Sequence, residues 1–391
     1  MNRADFRLSI EGVDFTDKAR PRLKSLSLTQ KRGGEADQLE IVLDDTDGKL
    51  TLPPKNRLIT LQLGWKQGSD VKPGLVDKGR FTVDEVSWGG PPDEVTIRAR
   101  SADLTGAFRT RREKSHNDTT LGAIAKKIAA ANGLEARVAP ELASIAVPIL
   151  TQHNQSDMAF LRRLGREHDA VATVKDRKLI LSPIGKGVSA TGKPLPGITL
   201  TRASGDSYRY AEIDRSSAAG VEARWHDVDA GERKTVKVTV PDEGEDQGPL
   251  GGEEDQGALG GEEDQGELGG EDQGALGGED DQGVLGGEED QGPLDGEEDT
   301  TRAPMRLRKV YHSEAQAKAA AKAEARRKKR AAAEFSMKLA LGDATLAPET
   351  VVRVQGFKPR ANARQWIVAE VTHRLDGSSG FTTDVKLETK A

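Results

Sequence analysis

The chain has 391 residues, 35% of them hydrophobic and 31% charged, with no cysteine. That length suits two or three domains with a substantial core, and the lack of thiols excludes disulfides, thiolate metal sites and a cysteine nucleophile. The N-terminal MNRADFRLSIEG lacks the apolar run of a signal peptide and no stretch reaches the length of a membrane span, so a chain made in the cytoplasm without stable membrane insertion is expected.

The net charge of -6 hides a segregation. Residues Asp242 to Asp299 hold 23 Asp and Glu and no Lys or Arg; the other 333 residues hold 41 acids against 58 bases, a surplus of +17. A basic body thus carries an acidic insertion.

In chain order, period-two alternation comes first. FRLSIEG (Phe6–Gly12), LKSLSLTQ (Leu23–Gln30), DQLEIVLDD (Asp37–Asp45) and RLITLQLGW (Arg57–Trp65) read as strands. GRFTVDEVSWGGPPDEVTIRARS (Gly79–Ser101) reads as a hairpin turning at Gly89-Gly90-Pro91-Pro92. The period then changes. NDTTLGAIAKKIAAANG (Asn117–Gly133) places Leu121, Ile124, Ala125, Ile128 and Ala129 on one helical face, with Asp118 as the expected N-cap and Gly133 as the stop. A second helix starts at Ser156, and AVATVKDRKLILSP (Ala170–Pro183) reads as strand, Asp-Arg turn, strand. Strand patterns return in ITLTR, GVEARWHDV and KTVKVTV after Gly197.

The acidic tract repeats Asp-Gln-Gly with its Asp at 246, 255, 264, 272, 281 and 290. A nonapeptide with paired glycines suggests the calcium β-roll, but Glu or Asp stands where the roll needs its third glycine, and one unit is a residue short. Isolated leucines among repelling carboxylates bury too little to offset ordering entropy, so a disordered loop is expected. Growing a loop from ~6 to ~58 residues costs only ~2 kcal/mol in closure entropy, so the flanks define the fold. After it RLRKVY resumes a strand. SEAQAKAAAKAEARRKKRAAAEF (Ser313–Phe335) reads as a helix with a Ser313/Gln316 capping box and Glu314–Lys318 and Glu324–Lys328 pairs. Its ARRKKR segment is expected to be a solvated face, with phosphate binding as the alternative. FSMKLALG, TVVRVQGF, RQWIVAEVTHRL and GFTTDVKLE complete the β pattern.

Catalytic signals are weak. GVSATGKP (Gly187–Pro194) fits G-x-x-x-x-G-K but ends in Pro, so it reads as an interdomain loop and not a phosphate loop. The six histidines (116, 153, 168, 226, 312, 373) make no H-x-H or H-E-x-x-H pair, and no G-x-S-x-G elbow occurs. No catalytic, cofactor-binding or metal-ligating residue is assigned.

Two stretches carry a resemblance. TQHNQSDMAFLRRLGREHDAVATVKDRKLILSP (Thr151–Pro183) resembles a signature of phage baseplate hubs and type VI secretion spikes, with Asn154, Ser156, Asp157, Phe160, Leu161 and Leu164 in the matching positions. LALGDATLAPETVVRVQGFKPRANARQWIVAEVTHRLDGSSGFTTDVKLE (Leu339–Glu388) is similar to the C-terminal signature of the phage late control gene D family. It matches at Gly342, Asp343, Gly356, Phe357, Trp366, Val368, Val371, His373, Gly380 and Phe381. From the residues alone, Ser156 suits a helix cap, Phe160, Leu161 and Leu164 suit burial, and His373 reads as a packing or hydrogen-bonding residue.

The resemblance implies two tail-tube-like antiparallel β-barrel domains; with the patterns above, the expected chain is β-dominated α+β, with a small α/β module between the barrels and a long disordered acidic insertion that is no part of the family pattern. The expected boundaries are 1–110 for the first β domain, 111–190 for the module, 191–241 with 300–391 for the second β domain (helix 313–335), and 242–299 for the acidic loop. It also implies a structural, non-enzymatic hub of a contractile tail or tail-like particle, located in the tail baseplate of the virion and assembled in the host cytoplasm. A homotrimer would match a six-fold tail tube to a three-fold spike. Tail tube or tube-initiator, central spike, baseplate wedge and tape measure proteins would be its partners, with DNA only in transit. The sequence stops at Ala391, shortly after the last strand pattern, so the spike is expected on another chain. A tail-tip wall hydrolase and a calcium-binding secreted repeat protein are the alternatives.

Overall fold

In the computed structural model the described residues are 2–33, 35–101, 108, 110–187, 194–212, 220–227, 230–239 and 304–391. The acidic repeats and residues 188–193 of the Gly/Pro loop lie outside them. Strands come first: β1 (Arg3–Ile10), β2 (Val13–Asp14), β3 (Leu23–Lys31), β4 (Gln38–Asp44), β5 (Leu58–Gln67), β6 (Gly74–Gly89) and β7 (Glu94–Arg100). The middle holds β8 (Arg111–Thr120), α1 (Leu121–Ala131), β9 (Glu135–Val138), β10 (Ala146–Ser156), α2 (Asp157–Glu167), β11 (Ala170–Lys175) and β12 (Lys178–Pro183). Then follow β13 (Ile198–Thr201), β14 (Gly205–Glu212), β15 (Gly220–Asp227), β16 (Glu232–Thr239), β17 (Met305–Tyr311), α3 (Glu314–Arg330), β18 (Ala333–Leu339), β19 (Val351–Gln355), β20 (Trp366–Asp376) and β21 (Gly380–Thr389). The chain is α+β with strands dominant.

Alternation sets the first core. Leu39, Ile41 and Leu43 of β4 stand opposite Ala99, Ile97 and Val95 of β7, all buried. Cross-strand apolar pairs of this kind stabilise a sheet directly, and each larger side chain contributes ~1.5–3 kcal/mol by burial. A separate core forms around Phe335, Trp366, Val368, Val371 and Leu387 near the C-terminus. The two β-rich ends are nevertheless one hydrogen-bonded sheet, ordered β14-β18-β21-β20-β3-β4-β7-β6-β5-β1-β2. The bridge is β20 against β3, antiparallel from Glu370↔Lys31 to Asp376↔Ser25. Leu375 and Phe381, although C-terminal, pack into the N-terminal core.

The middle segment has its own core of Leu121, Ile124, Ile128, Phe160, Leu161, Leu164 and Leu181. Its β11–β12 turn has positive φ at Asp176 and Arg177, as the Asp-Arg reading requires. The α1 cap differs from expectation. Thr120 Oγ1 accepts from Ala123 N–H at 3.2 Å, while Asp118 lies inside β8 with φ +46°. β8, paired with β10 at Asn117, Thr119 and Thr120, runs on past Asp118, so the helix starts two residues later than a cap at 118 would place it. Gly133, φ +66°, does stop the helix.

The α3 helix packs on β15 and β16 through Ala317, Ala320, Ala321 and Ala325, a small-residue face that lets helix and sheet approach closely. Ser313 Oγ accepts from Gln316 N–H at 3.3 Å. The helix ends at Arg330 and not at Phe335, because Ala333–Leu339 is claimed as a strand by both β14 and β21. Glu324 pairs with Arg327, one turn on, and not with Lys328. Among the described residues no helix is long and apolar enough to cross a membrane.

Candidate functional site

The first signature builds a strand–bulge–helix joint. Register shifts in β10 between Gln152 and Gln155, and Asn154 takes φ +46° there. The shift turns Gln152 inward, where Nε2 donates to Gln155 O at 2.9 Å and to Asp157 Oδ1 at 3.0 Å. Asp157, fully buried at the start of α2, also accepts from Asn132 Nδ2 at 3.3 Å and lies 3.5 Å from Arg112 Nε. Ser156 Oγ caps α2 by accepting from Ala159 N–H at 3.2 Å. Phe160, Leu161 and Leu164 fill the core, and His116 stacks on Phe160 with ring centroids 5.4 Å apart.

The second signature lies elsewhere, where the two β-rich ends meet. An added Cβ on Gly342 would stand 2.8 Å from the Phe381 ring. Gly342 O accepts from Trp65 Nε1 at 2.8 Å, and Trp65 meets Phe381 at 5.5 Å. So residues 65, 342 and 381 lock the first core to the last strands. Asp343 closes an Asx turn on Thr345 N–H at 2.8 Å, and its own N–H donates to Thr383 Oγ1 at 3.1 Å. Gly356 has φ +82°. Phe357 sits edge-on to Phe335 and Tyr208 at 4.9 Å each. Trp366, fully buried, donates to Ala361 O at 3.0 Å, with Val368 and Val371 buried beside it. Gly380, φ +70°, makes the β20–β21 turn.

His373 is fully buried. Its Nδ1 is 3.0 Å from Thr383 Oγ1, and Lys78 Nζ is 2.9 Å from its Nε2. Lys78 also donates to Leu346 O at 3.3 Å and Gln30 Oε1 at 3.4 Å. Burial, reinforced by the Lys78 charge, holds His373 well below the usual histidine range, so it is neutral and accepts from the lysine. Burial pushes Lys78 down to about 8, opposed by the Asp343 and Asp37 charges. Nothing in the alternation announces Lys78. It faces inward because register shifts between Leu61 and Gln62 leave it as the extra residue of a β-bulge.

Three further junctions went unread in the sequence. Lys175, at the end of β11, reaches Asp37 Oδ1 at 3.1 Å and Lys31 O at 3.1 Å. Arg330 is buried in a two-pronged pair with Asp169, one contact being 2.8 Å, so the ARRKKR segment is not a wholly solvated face. Arg32 joins Glu349 and Glu388, and burial raises the Glu349 carboxyl above its ordinary value against the pull of Arg32. All three tie segments distant in sequence, and single-residue charge patterns carry no partner information.

The joined sheet has two chemically distinct faces. One bears both apolar cores. The other bears paired charges: Arg98 with Glu40 (2.7 Å) and Glu85 (3.2 Å), Arg100 with Asp84 (2.7 Å), Arg374 with Asp384 (3.2 Å) and Lys386 with Glu370 (3.1 Å). At the β20–β3 bridge Thr29 and Thr372 hydroxyls meet at 3.1 Å. A cleft of about 930 Å³ opens where this face meets α2 and β11, lined by Arg162, Arg166, Arg209, Glu334 and Glu370 among others. Among the described residues no cluster of three His, Asp or Glu is placed to hold a metal ion.

This wall of antiparallel strands, charged on one face, with a helical module beside it, is a fold shared with known tail proteins. The profile of the phage tail baseplate hub (GPD) family matches residues 56–379, and the chain belongs to that family. It is 42% identical to the probable baseplate hub protein of Escherichia phage 186 over 98% of this chain and 92% of that one. It is 40% identical to the probable baseplate hub protein of Escherichia phage P2, over 99% and 93%. Among solved structures, the tail protein from Neisseria meningitidis MC58 shares the fold with a TM-score of 0.60 at 10% identity, covering 99% of this chain and 96% of that one.

Proposed function

We propose that the chain is the structural hub of a contractile-tail baseplate, with three copies forming a ring at the outlet of the tail tube. Residues 1–110 supply one tube-like β-barrel unit, and 191–241 with 300–391 supply a second, so three chains offer six similar units to a six-fold tube and three equivalent faces to a spike. The observation that supports this best is the β20–β3 bridge, which fuses the two β-rich ends into one wall. Placed around an axis with its ion-paired face inward, that wall lines an aqueous channel through which DNA passes without being held. Gly342, Phe381, His373, Trp366 and their signature neighbours serve the joint between the units; Asn154, Ser156 and Asp157 shape the module. Tail tube or tube-initiator, spike, wedge and tape measure proteins are its partners. It acts in the virion baseplate after assembly in the host cytoplasm, and it performs no catalysis.

Sedimentation of the purified chain, alone and with its spike protein, tests the proposal. Three copies per particle are expected, with no clearing of peptidoglycan. A chain that stays monomeric at high concentration and does not bind the spike protein would sink it.

A further inference from the structure

Among the described residues the sheet has open margins at β14, the second half of β6, β13 and the far side of β1, and the first two bear on assembly. On one side β14 pairs only with β18 among the described residues. On the other, β6 divides at Thr82: its first half pairs with β5 and its second half with β7. Val83 is still tied to Asn56 and Arg57 by backbone hydrogen bonds. Beyond it, Asp84–Gly89 has no strand on its far side among the described residues. Open margins present unpaired N–H and C=O groups that invite another strand.

Each of these two margins carries an aromatic ring on the core-facing side. Trp88 stands opposite buried Val95 and is 58% exposed; Tyr208 stands opposite buried Met337 and is 46% exposed. Among the described residues they are the only exposed Trp, Tyr or Phe side chains. Direction also fits. From β14 to β6 the path runs through eight strands, each antiparallel to the next. An even number makes the two margins run oppositely, so β14 of one copy laid on Asp84–Gly89 of the next continues the antiparallel order.

We infer that copies of this chain join head to tail through these margins, β14 of one copy against Asp84–Gly89 of its neighbour, with Tyr208 and Trp88 closing the apolar side of the seam. The inference rests on the ring proposed above and names the surfaces that build it. The contact uses different surfaces on the two partners, so repeating it closes into a ring when the rotation between copies closes, as in the ring of three proposed above, and neither of these margins is then left open. The far margin of β1 is the competing edge; it carries no exposed aromatic ring, and β2 covers Ser9 and Ile10.

The chain has no cysteine, so introduced thiols are unique. Ser87 and Ser207 lie one on each margin, opposite Thr96 and Lys338 on the charged side, and both are exposed. The full chain carrying Ser87→Cys and Ser207→Cys is treated with a short bis-maleimide and separated under denaturing conditions, beside each single variant. Covalent dimers and trimers from the double variant and only monomers from the singles are expected. An oligomer by mass that yields no cross-link, or that cross-links through Arg7→Cys with Ser207→Cys instead, overturns the inference and leaves the ring standing. Absence of any oligomer removes the ring and the inference together. Trp88→Lys gives a second measure: the concentration for half-assembly rises at least about tenfold with the melting temperature of the chain unchanged. Unaltered assembly in that variant also counts against the seam.

Discussion

Lys78 Nζ lies 2.9 Å from His373 Nε2, inside the protein, between strands that begin and end the sequence. A cation there is held by neutral acceptors and by carboxylates further off, so its protonation opposes folding. Its folded value of about 8 lies below the ordinary 10.5. Between those values the unfolded chain binds a proton that the native chain does not, so stability rises with pH across that window. The penalty below pH 8 is on the order of 3 kcal/mol. Denaturant titrations from pH 7.5 to 10.5 should show that rise in the native sequence and lose it in Lys78→Met. Equal slopes in the two proteins would contradict the assignment. His373, held neutral, adds a loss of stability as pH falls below 6.5, which His373→Gln should blunt.

Asp169 and Arg330 form a buried pair linking the middle segment to the end of α3. Removing one partner strands the other charge. Asp169→Ala should cost about 3–5 kcal/mol in unfolding free energy, and Asp169→Ala with Arg330→Met clearly less than the sum of the two single changes. Additive losses would mean the pair acts as two independent packing groups.

Gly342 leaves room for the face of Phe381, and Trp65 donates to its carbonyl. Gly342→Ala should destabilise by about 1–3 kcal/mol through overpacking and alter the emission of Trp65. Adding Phe381→Leu to Gly342→Ala should recover part of the loss. Calorimetry showing no change would place the crowding elsewhere.

The acidic insertion leaves after β16 and returns at β17, and both strands flank β15. Thr239 pairs with Gly220 and Met305 with Val221, so departure and return sit at one end of the same sheet. Two strand spacings separate them, roughly 10 Å. Replacing 242–299 with a short Gly-Ser linker should therefore leave the far-ultraviolet spectrum per folded residue and the melting temperature of the body within a few degrees of the parent. Millimolar calcium should leave the spectrum of the isolated 242–299 peptide unchanged. A calcium-induced β signal would favour the roll reading.

Local pattern made much of the fold legible. Alternation in DQLEIVLDD and EVTIRAR located β4 and β7, and Ser156 and Ser313 located two helix starts. Errors arose where a distant partner overrode a local preference. Asp118 is a good cap by type, but pairing of its neighbours Asn117, Thr119 and Thr120 with β10 carries the strand past it. Alanines 331 to 333 are good helix formers, yet β14 and β21 draw residues from Ala333 onward into the sheet. At the candidate site, the signature residues were legible as a resemblance. Their partners Lys78, Trp65, Gln30 and Thr383 were not, because a bulge and a β20–β3 pairing across the length of the chain bring them together.

The central claim is that this chain forms a ring of three that turns its fused β wall toward the channel. A cryo-electron microscopy map of the assembled tail tip tests it most directly. The account predicts three copies about the tail axis, two β units of each matched to the six-fold tube, and the Arg98, Arg374 and Lys386 face lining the lumen. Six copies, an off-axis position, or that face turned away from the channel would contradict it.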